Sequence, residues 1–451
     1  MLMPATNRSG TLLVLFLVVM IDMIGFGIVI PFLTFFIDDL ASLEGVLEIG
    51  FWVGLMMAGY SAAQFLFSPF WGALSDRIGR RPVLMTGLVG NTVFFVIFGL
   101  SSSLWMAFAA RFCAGAFNAN IAVAKAFIGD ISDSSSMAKR MGLIGAAFGL
   151  GFTIGPFIGG ELSSPAQRWQ LFSDTIFDVH PYLLPCLAAS ILSTISLIIA
   201  IFKLPESLPV KERVKVEVRN PFLILRAMYR DSLRVIRMPN IGSMIWVGLF
   251  FIYGFTIMHA VFILFTEMST AKGGLGFSEA DNGRIFAVIG LNGVIIQGLL
   301  IGRLTRRFGS SNLLRFGILV CGLGLALIPH VPSHSPWLVL IAVMILISAG
   351  NGLFQPSYAA ILTQMAKEEG ADLGLVMGAQ ESFGAFGRII GPLTGGLVWD
   401  ATVNSTGWIS KATAFHLCGL LMIVAFFLLK RANIISNSNP PQSLAGSVLN
   451  R

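Results

Sequence analysis

One phrase of small residues occurs twice in this chain, 236 positions apart (387 − 151): Gly142-(eight residues)-Gly151-(three)-Gly155-Pro156-(two)-Gly159-Gly160, and Gly378-(eight)-Gly387-(three)-Gly391-Pro392-(two)-Gly395-Gly396. Both copies lie in apolar stretches long enough to cross a bilayer, and the offset is about half of the 451 residues. Two halves repeating one plan in lipid is a transporter arrangement.

With 55% hydrophobic and only 12% charged residues, the chain has too little polar surface to cover a soluble globule, so lipid must solvate it. Twelve apolar runs stand out, at 12–37, 51–74, 83–101, 104–128, 141–162, 182–203, 241–266, 282–302, 312–330, 336–363, 374–398 and 412–430. They predict an all-α membrane protein of twelve transmembrane helices. The expected division is a six-helix bundle over 1–203, a linker over 204–240, a second six-helix bundle over 241–431 and a tail over 432–451. The linker is basic, and residues 222–235 have the composition of an amphipathic helix lying on the membrane.

Arg77, Arg80 and Arg81 follow helix 2, Lys139 and Arg140 follow helix 4, Arg303, Arg306 and Arg307 follow helix 8, and Lys430 and Arg431 close helix 12. These loops share one side, while Asp38, Asp39, Glu44 and Glu48 mark the other, so the positive-inside rule puts both termini in the cytoplasm of a plasma-membrane protein. The net charge of +7 is therefore topology and not a nucleic-acid surface. Cys113, Cys186, Cys321 and Cys418 fall inside helices without metal or disulfide spacing. The first run is too long for a signal-peptide core and carries Asp22, so it is expected to remain as helix 1.

Between helices 2 and 3 stands Gly72-Ala-Leu-Ser-Asp76-Arg77-Ile-Gly79-Arg80-Arg81-Pro82. Gly72 allows close helix approach, Gly79 a tight turn, and Pro82 suits the first turn of helix 3, where its missing N–H is harmless. A bland basic turn explains the arginines alone. A degenerate copy, Gly302-Arg303-Leu304-Thr305-Arg306-Arg307-Phe308-Gly309, follows helix 8, with Arg306 where Asp76 stood.

The first turn resembles the helix 2–3 signature of the major facilitator superfamily, and the doubled glycine phrase is similar to the helix 5 signature of its twelve-helix drug/proton antiporters, the group that includes tetracycline efflux proteins. The resemblance implies the major facilitator fold. It also implies that Gly72, Asp76, Arg77, Gly79, Arg80 and Arg81 work as a conformational switch against the cytoplasmic ends of neighbouring helices. Asp130, ending helix 4, is the expected counter-charge for Arg77 or Arg80.

Gly151, Gly155 and Gly159 recur every four residues and make a smooth stripe for a second backbone, and Gly387, Gly391 and Gly395 do the same. Pro156 is a site for a kink, Pro392 holds the same place in the second phrase, and Gly160 completes the first. Plain packing accounts for the stripes. The resemblance adds that helices 5 and 11 lie between the halves and gate alternating access.

Asp22 lies inside helix 1, where a carboxylate costs about 2.5–3.5 kcal/mol, so it must be protonated, paired or facing an aqueous cavity. A proton site and a permanently paired structural acid both satisfy this. Arg111 on helix 4 is deep enough to be its partner, and Arg111 with Gly115 resembles a further family signature associated with proton transfer. Lys125 lies near the end of the same helix, where it can snorkel.

The remaining membrane-embedded polar residues are candidates to line a central cavity: Gln64, Asn118, Asn120, His259, Asn292, Gln297, Gln355, Gln380, Glu381 and Arg388. Glu381 and Arg388 are two turns apart on roughly one face, so structural pairing and solute contact are both open to them.

No phosphate-binding loop, hydrolytic nucleophile or metal motif is visible, so neither an enzyme nor a cofactor is expected. The reading is a proton-coupled antiporter exporting a small organic solute, sufficient as a monomer, with a metabolite importer as the alternative within transport and a non-transporting receptor as the alternative outside it.

Overall fold

A computed structural model describes residues 5–118, 120–132, 134–209, 230–405, 407 and 409–431. Among the described residues there are helices and turns but no strands, as expected where lipid leaves every backbone amide to find its partner within its own segment.

The long helices are α1 (Ala5–Val29), α2 (Ile49–Ile78), α3 (Arg80–Gly99), α4 (Leu104–Ile131), α5 (Ser134–Leu162) and α6 (Leu183–Lys203), then α7 (Pro239–Glu267), α8 (Glu279–Phe308), α9 (Ser310–Leu327), α10 (Pro336–Glu368), α11 (Leu373–Thr402) and α12 (Thr413–Arg431). Among the described residues, ten are long and apolar enough to cross a membrane by length and composition. The other two, α5 and α11, carry the glycine phrases. At 29 and 30 residues each reaches more than about 40 Å, enough to span the hydrocarbon.

Local chemistry sets the ends. Pro239 and Pro336 stand at the first positions of α7 and α10, Asp372 accepts the Leu375 amide at 2.9 Å ahead of α11, and Ser278 and Asp281 form a reciprocal cap on α8. Gly79 (φ 109°) joins α2 to α3 and Gly309 (φ 74°) joins α8 to α9, so both copies of the basic turn use a left-handed glycine.

Three helices depart from the sequence expectation. The apolar run at 12–37 is not one helix: α1 stops at Val29 and a short helix begins at Leu33, because Pro31 has no N–H to continue the ladder. Helix α4 is interrupted at Asn118 (ψ 60°), and α8 contains a π segment, Ile295–Leu300. Of the basic linker, residues 230–236 are helical; the rest of the expected amphipathic segment, and the tail, lie outside the described residues.

By contact the helices sort into two six-helix bundles, α1–α6 and α7–α12. In the first, α1 packs on α5 and α6, and α3 on α6; in the second, α7 packs on α11 and α12, and α9 on α10 and α12. Between bundles the main contacts are α5 with α8 and α2 with α11.

These contacts run from one side to about the middle of the helices, where Gly149 still meets Val294. The basic turns define the turn side of the molecule, and the ends of α1, α5, α7 and α11 the far side. Toward the far side, Gly283 lies so close to α5 that a Cβ would stand 2.6 Å from the Pro156 carbonyl, and one on Gly50 2.6 Å from the Gly396 carbonyl. Toward the turn side the same helices part: a Cβ on Gly145, Gly298, Gly302, Gly72 or Gly378 would meet nothing within 4 Å. The bundles are locked on the far side and open on the turn side.

Candidate functional site

The two glycine stripes do not themselves lie between the bundles. Gly151, Gly155 and Gly159 press against Met23, Ile24, Gly27 and Ile28 of α1, and Gly387, Gly391 and Gly395 against Leu249, Tyr253, Thr256 and Ile257 of α7. Each stripe is thus a seam inside its own bundle, since a backbone-to-backbone approach suits the fixed packing of neighbours. The adjoining flank makes the contact between bundles. Gly160 abuts the Glu279 and Ala280 backbone of α8, Gly396 abuts Gly50 and Phe51 of α2, and the carbonyls of Pro156 and Pro392 face Gly283 and Gly54. One phrase therefore serves two interfaces.

In the first bundle Asp22 is only 2% exposed, and Asn91 of α3 donates to its Oδ1 at 2.5 Å. Among the described residues Asp22 and Arg111 form no ion pair with each other, in contrast to the expected direct pairing. The Arg111 guanidinium lies over the Tyr60 ring (4.5 Å) and near that of Phe98 (5.6 Å), because a cation in an apolar core is held by aromatic faces. Asn118 donates to the Tyr60 hydroxyl, holding the ring beneath the guanidinium. Gln64 donates to the Asn118 carbonyl at 3.0 Å, bracing the interruption of α4. The side chain of Asn120 lies outside the described residues.

In the second bundle Arg388 Nη2 meets Glu381 Oε1 at 2.5 Å. Gln380 is half-buried beside them, and His259 packs edge-on against Phe255 (4.7 Å). Asn292 donates to the Ile345 carbonyl at 3.3 Å, binding α8 to α10. Gln297, in the π segment, and Gln355 are exposed. Lys125 is also exposed, and it acts electrostatically on Glu381, so it faces the gap between the bundles as well as the membrane surface.

At the turn, Arg80 rather than Arg77 meets Asp130, at 3.1 Å, and also Asp76 at 2.6 Å and Ser75 Oγ at 2.6 Å. Glu206, beyond α6, accepts the amides of Arg80 (2.8 Å) and Arg81 (3.3 Å), and Ser207 donates to Asp130 at 2.8 Å. Carboxylates are well placed at the unsatisfied amides of a helix start. Gly72 meets no neighbour that a side chain would disturb.

On the far side stands an acidic group of which sequence reasoning took Asp38 and Asp39 only as markers of orientation and left Glu161 and Glu279 unread. Tyr182 donates to Asp39 at 2.9 Å, Ser164 donates to Glu279 at 2.9 Å, and Arg284 of α8 meets Glu161 of α5 at 2.8 Å. Burial pushes the Asp38 and Asp39 carboxyls above their usual range; for Asp39, Asp38 and Glu279 add to the rise and the Tyr182 hydrogen bond opposes it. Asn91, Tyr60, Glu206 and Asp400 also escaped the sequence reading. Asn91 carried one usable signal, a lone amide in an apolar run.

A family profile, the Major Facilitator Superfamily, matches residues 15–392 and, overlapping, 275–446. The chain is 29% identical over 416 residues to the class C tetracycline resistance protein of Escherichia coli, covering 91% of this chain and 96% of that one. It is 31% identical over 404 residues to Protein ZINC INDUCED FACILITATOR-LIKE 1 of Arabidopsis thaliana (84% and 81% covered), and 28% over 408 residues to multidrug resistance protein 1 of Bacillus subtilis (90% and 94%). Among solved structures, a D-xylose-proton symporter superposes with a TM-score of 0.71 at 13% identity, covering 94% of this chain and 97% of that one. The human organic anion transporter MFSD10 superposes at 0.67 and 24% identity, with 94% and 100% covered. At these identities the two structures speak for the fold.

Proposed function

The chain belongs to the Major Facilitator Superfamily, a family of membrane transporters, and we propose that it exports a small organic solute in exchange for protons by alternating access. The observation that carries this reading is Asp22, buried in α1 with its Oδ1 held by Asn91. A carboxylate this deep is costly to keep ionised, so its protonation state and the access of water to it are linked.

Export is supported by relatives named for resistance to tetracycline and to multiple drugs. With the arginine-rich turns in the cytoplasm by the positive-inside rule, the locked far side faces outward and the opening faces inward, toward a solute waiting to leave. The two bundles rock about the α5–α8 and α2–α11 contacts, and Asp22 loads a proton from outside and releases it inside. The plasma membrane is the proposed location and one chain the proposed working unit, divided near 203 and 241 as the sequence expects.

The test is purified protein in proteoliposomes with an imposed pH gradient and a trapped pH dye, comparing wild type with Asp22→Asn across a panel of amphipathic solutes. Solute-dependent proton flux lost in the variant supports the reading. A labelled solute that crosses with no proton movement in either protein replaces it with facilitated transport.

A further inference from the structure

Helix α11 touches α7 along Gly384, Gly387, Gly391 and Gly395, and α2 of the other bundle through Pro392 and Gly396. At about 100° per residue, Glu381 and Arg388 fall between these two lines of contact, on the sector facing the space between the bundles. Their side chains are 63% and 36% exposed, so the pair lines an open space, not a packed core. Across that space Lys125 of α4 is exposed too, and after Arg388 it is the cation that Glu381 feels most strongly. Among the described residues Lys125 has no ion pair and no hydrogen bond of its own. The wall therefore presents two cations to one carboxylate.

We propose that this space admits amphipathic organic anions, the acidic group of the solute bridging Lys125 and Arg388 in place of the Glu381 carboxylate. The inference rests on reading the space between the bundles as the solute path. An unpartnered arginine this far along α11 would be costly, and Glu381 satisfies it while the site is empty. A carboxylate, sulfonate or phosphate group can take over that bond and gain Lys125 as well, which Glu381 does not reach within ion-pair distance. A solute cation gains only Glu381, already engaged, and meets two like charges, so the site rejects it as well as favouring the anion. Because Glu381 returns when the solute departs, release leaves no bare charge on the wall.

Three probes with one aromatic body separate charge from shape: dansylglycine (anion), dansylamide (neutral) and dansylcadaverine (cation). Binding is read by fluorescence with protein in nanodiscs, subtracting empty nanodiscs, at equilibrium and without any gradient. The anion is expected to bind about tenfold or more tighter than the cation. Lys125→Gln and Arg388→Gln are each expected to weaken the anion about fivefold or more and dansylamide by less, with a single symmetric gel-filtration peak showing that the variants are folded. Glu381→Gln removes the internal competitor and is expected to tighten the anion several-fold, an effect misfolding cannot imitate. Equal affinity for the three probes, preference for the cation, no binding of the anion, or an anion affinity indifferent to all three substitutions overturns the proposal. Such a result leaves proton coupling standing, since that is read separately from flux in Asp22→Asn; loss of coupling with the anion preference intact overturns only the antiport.

Discussion

Asp400, at the end of α11, accepts hydrogen bonds from the amides of Gly50 (2.8 Å) and Phe51 (2.7 Å), so a carboxylate of one bundle caps the first turn of a helix in the other. The repeat supplies its counterpart. Subtracting 236 from Asp400 gives Ser164, and adding the 229 residues that separate Gly54 from Gly283 to Gly50 gives Glu279; Ser164 donates to Glu279 at 2.9 Å. Both inter-bundle contacts are thus closed by one carboxylate, contributed from opposite partners.

Asp400→Ala removes a charged acceptor from two amides that then depend on water. Hydrogen bonds to charged groups contribute about 1.5–3 kcal/mol, and partial exposure places the pair near the lower end, about 2 kcal/mol in all. That corresponds to roughly a thirtyfold shift away from the far-side-locked state. Distances between spin labels on the far-side ends of α2 and α11, measured in wild type and variant, check it. Unchanged distance distributions would show that the cap does not hold the lock.

Substitutions at the two kinds of phrase glycine are expected to part company. A Cβ on Gly155 would stand 2.6 Å from the Ile24 carbonyl and 2.8 Å from the Gly27 Cα, both inside the first bundle, so Gly155→Ala is expected to cost about 1–3 kcal/mol of stability and lower the melting temperature. Gly396→Ala collides instead with the Gly50 backbone of the other bundle. It should leave the melting temperature nearly unchanged while shifting the protein out of the far-side-locked state. Equal thermal losses in both would mean that bundles and lock do not unfold or move separately.

This division shows where the sequence ran out. Spacing every four residues made Gly151, Gly155 and Gly159 legible as a stripe, and doubling made its partner legible, but a stripe carries no address. Whether α1 or α8 lies against it depends on the rotation of α5, which the contacts of Gly155 with Gly27 and of Gly160 with Glu279 settle. The basic turn was readable for the same reason, as a local phrase with a required glycine. Asn91 and Tyr60 were not, because their roles come from α3 being brought to Asp22 and α2 to Arg111. Glu206 sat unnoticed in a linker whose basic residues dominated the reading.

The turn offers a prediction of its own. Arg80 is bound by Asp76, Asp130 and Ser75, and its side chain is only 11% exposed. Arg80→Gln leaves Asp130, among the described residues, with Ser207 and is expected to cost roughly 1–3 kcal/mol, as for a buried charged group losing its partner. Adding Asp130→Asn to Arg80→Gln should restore part of the loss, giving a coupling energy by double-mutant cycle. Strictly additive losses in thermal unfolding would refute an interaction between the two.

The far side should respond to pH through Asp39. Its carboxyl is held above the ordinary value of 3.8 chiefly by burial, with Asp38 and Glu279 adding to the rise, while Tyr182 donates to it; Glu267 at the end of α7 faces the same group. When the far side opens, water reaches Asp39 and its proton affinity returns toward the ordinary value. The locked state therefore binds the proton more tightly than the open one. Its advantage is fully present below 3.8 and is lost as pH rises through the raised value, so acidifying the far-side medium should increase the locked population. Single-molecule distances between labels on the far-side ends of α5 and α8, followed from pH 7 downward, read this directly. Asp39→Asn should flatten the dependence and leave a largely locked population throughout. A wild-type population that stays constant, or that opens on acidification, would place the proton-linked step elsewhere in the molecule.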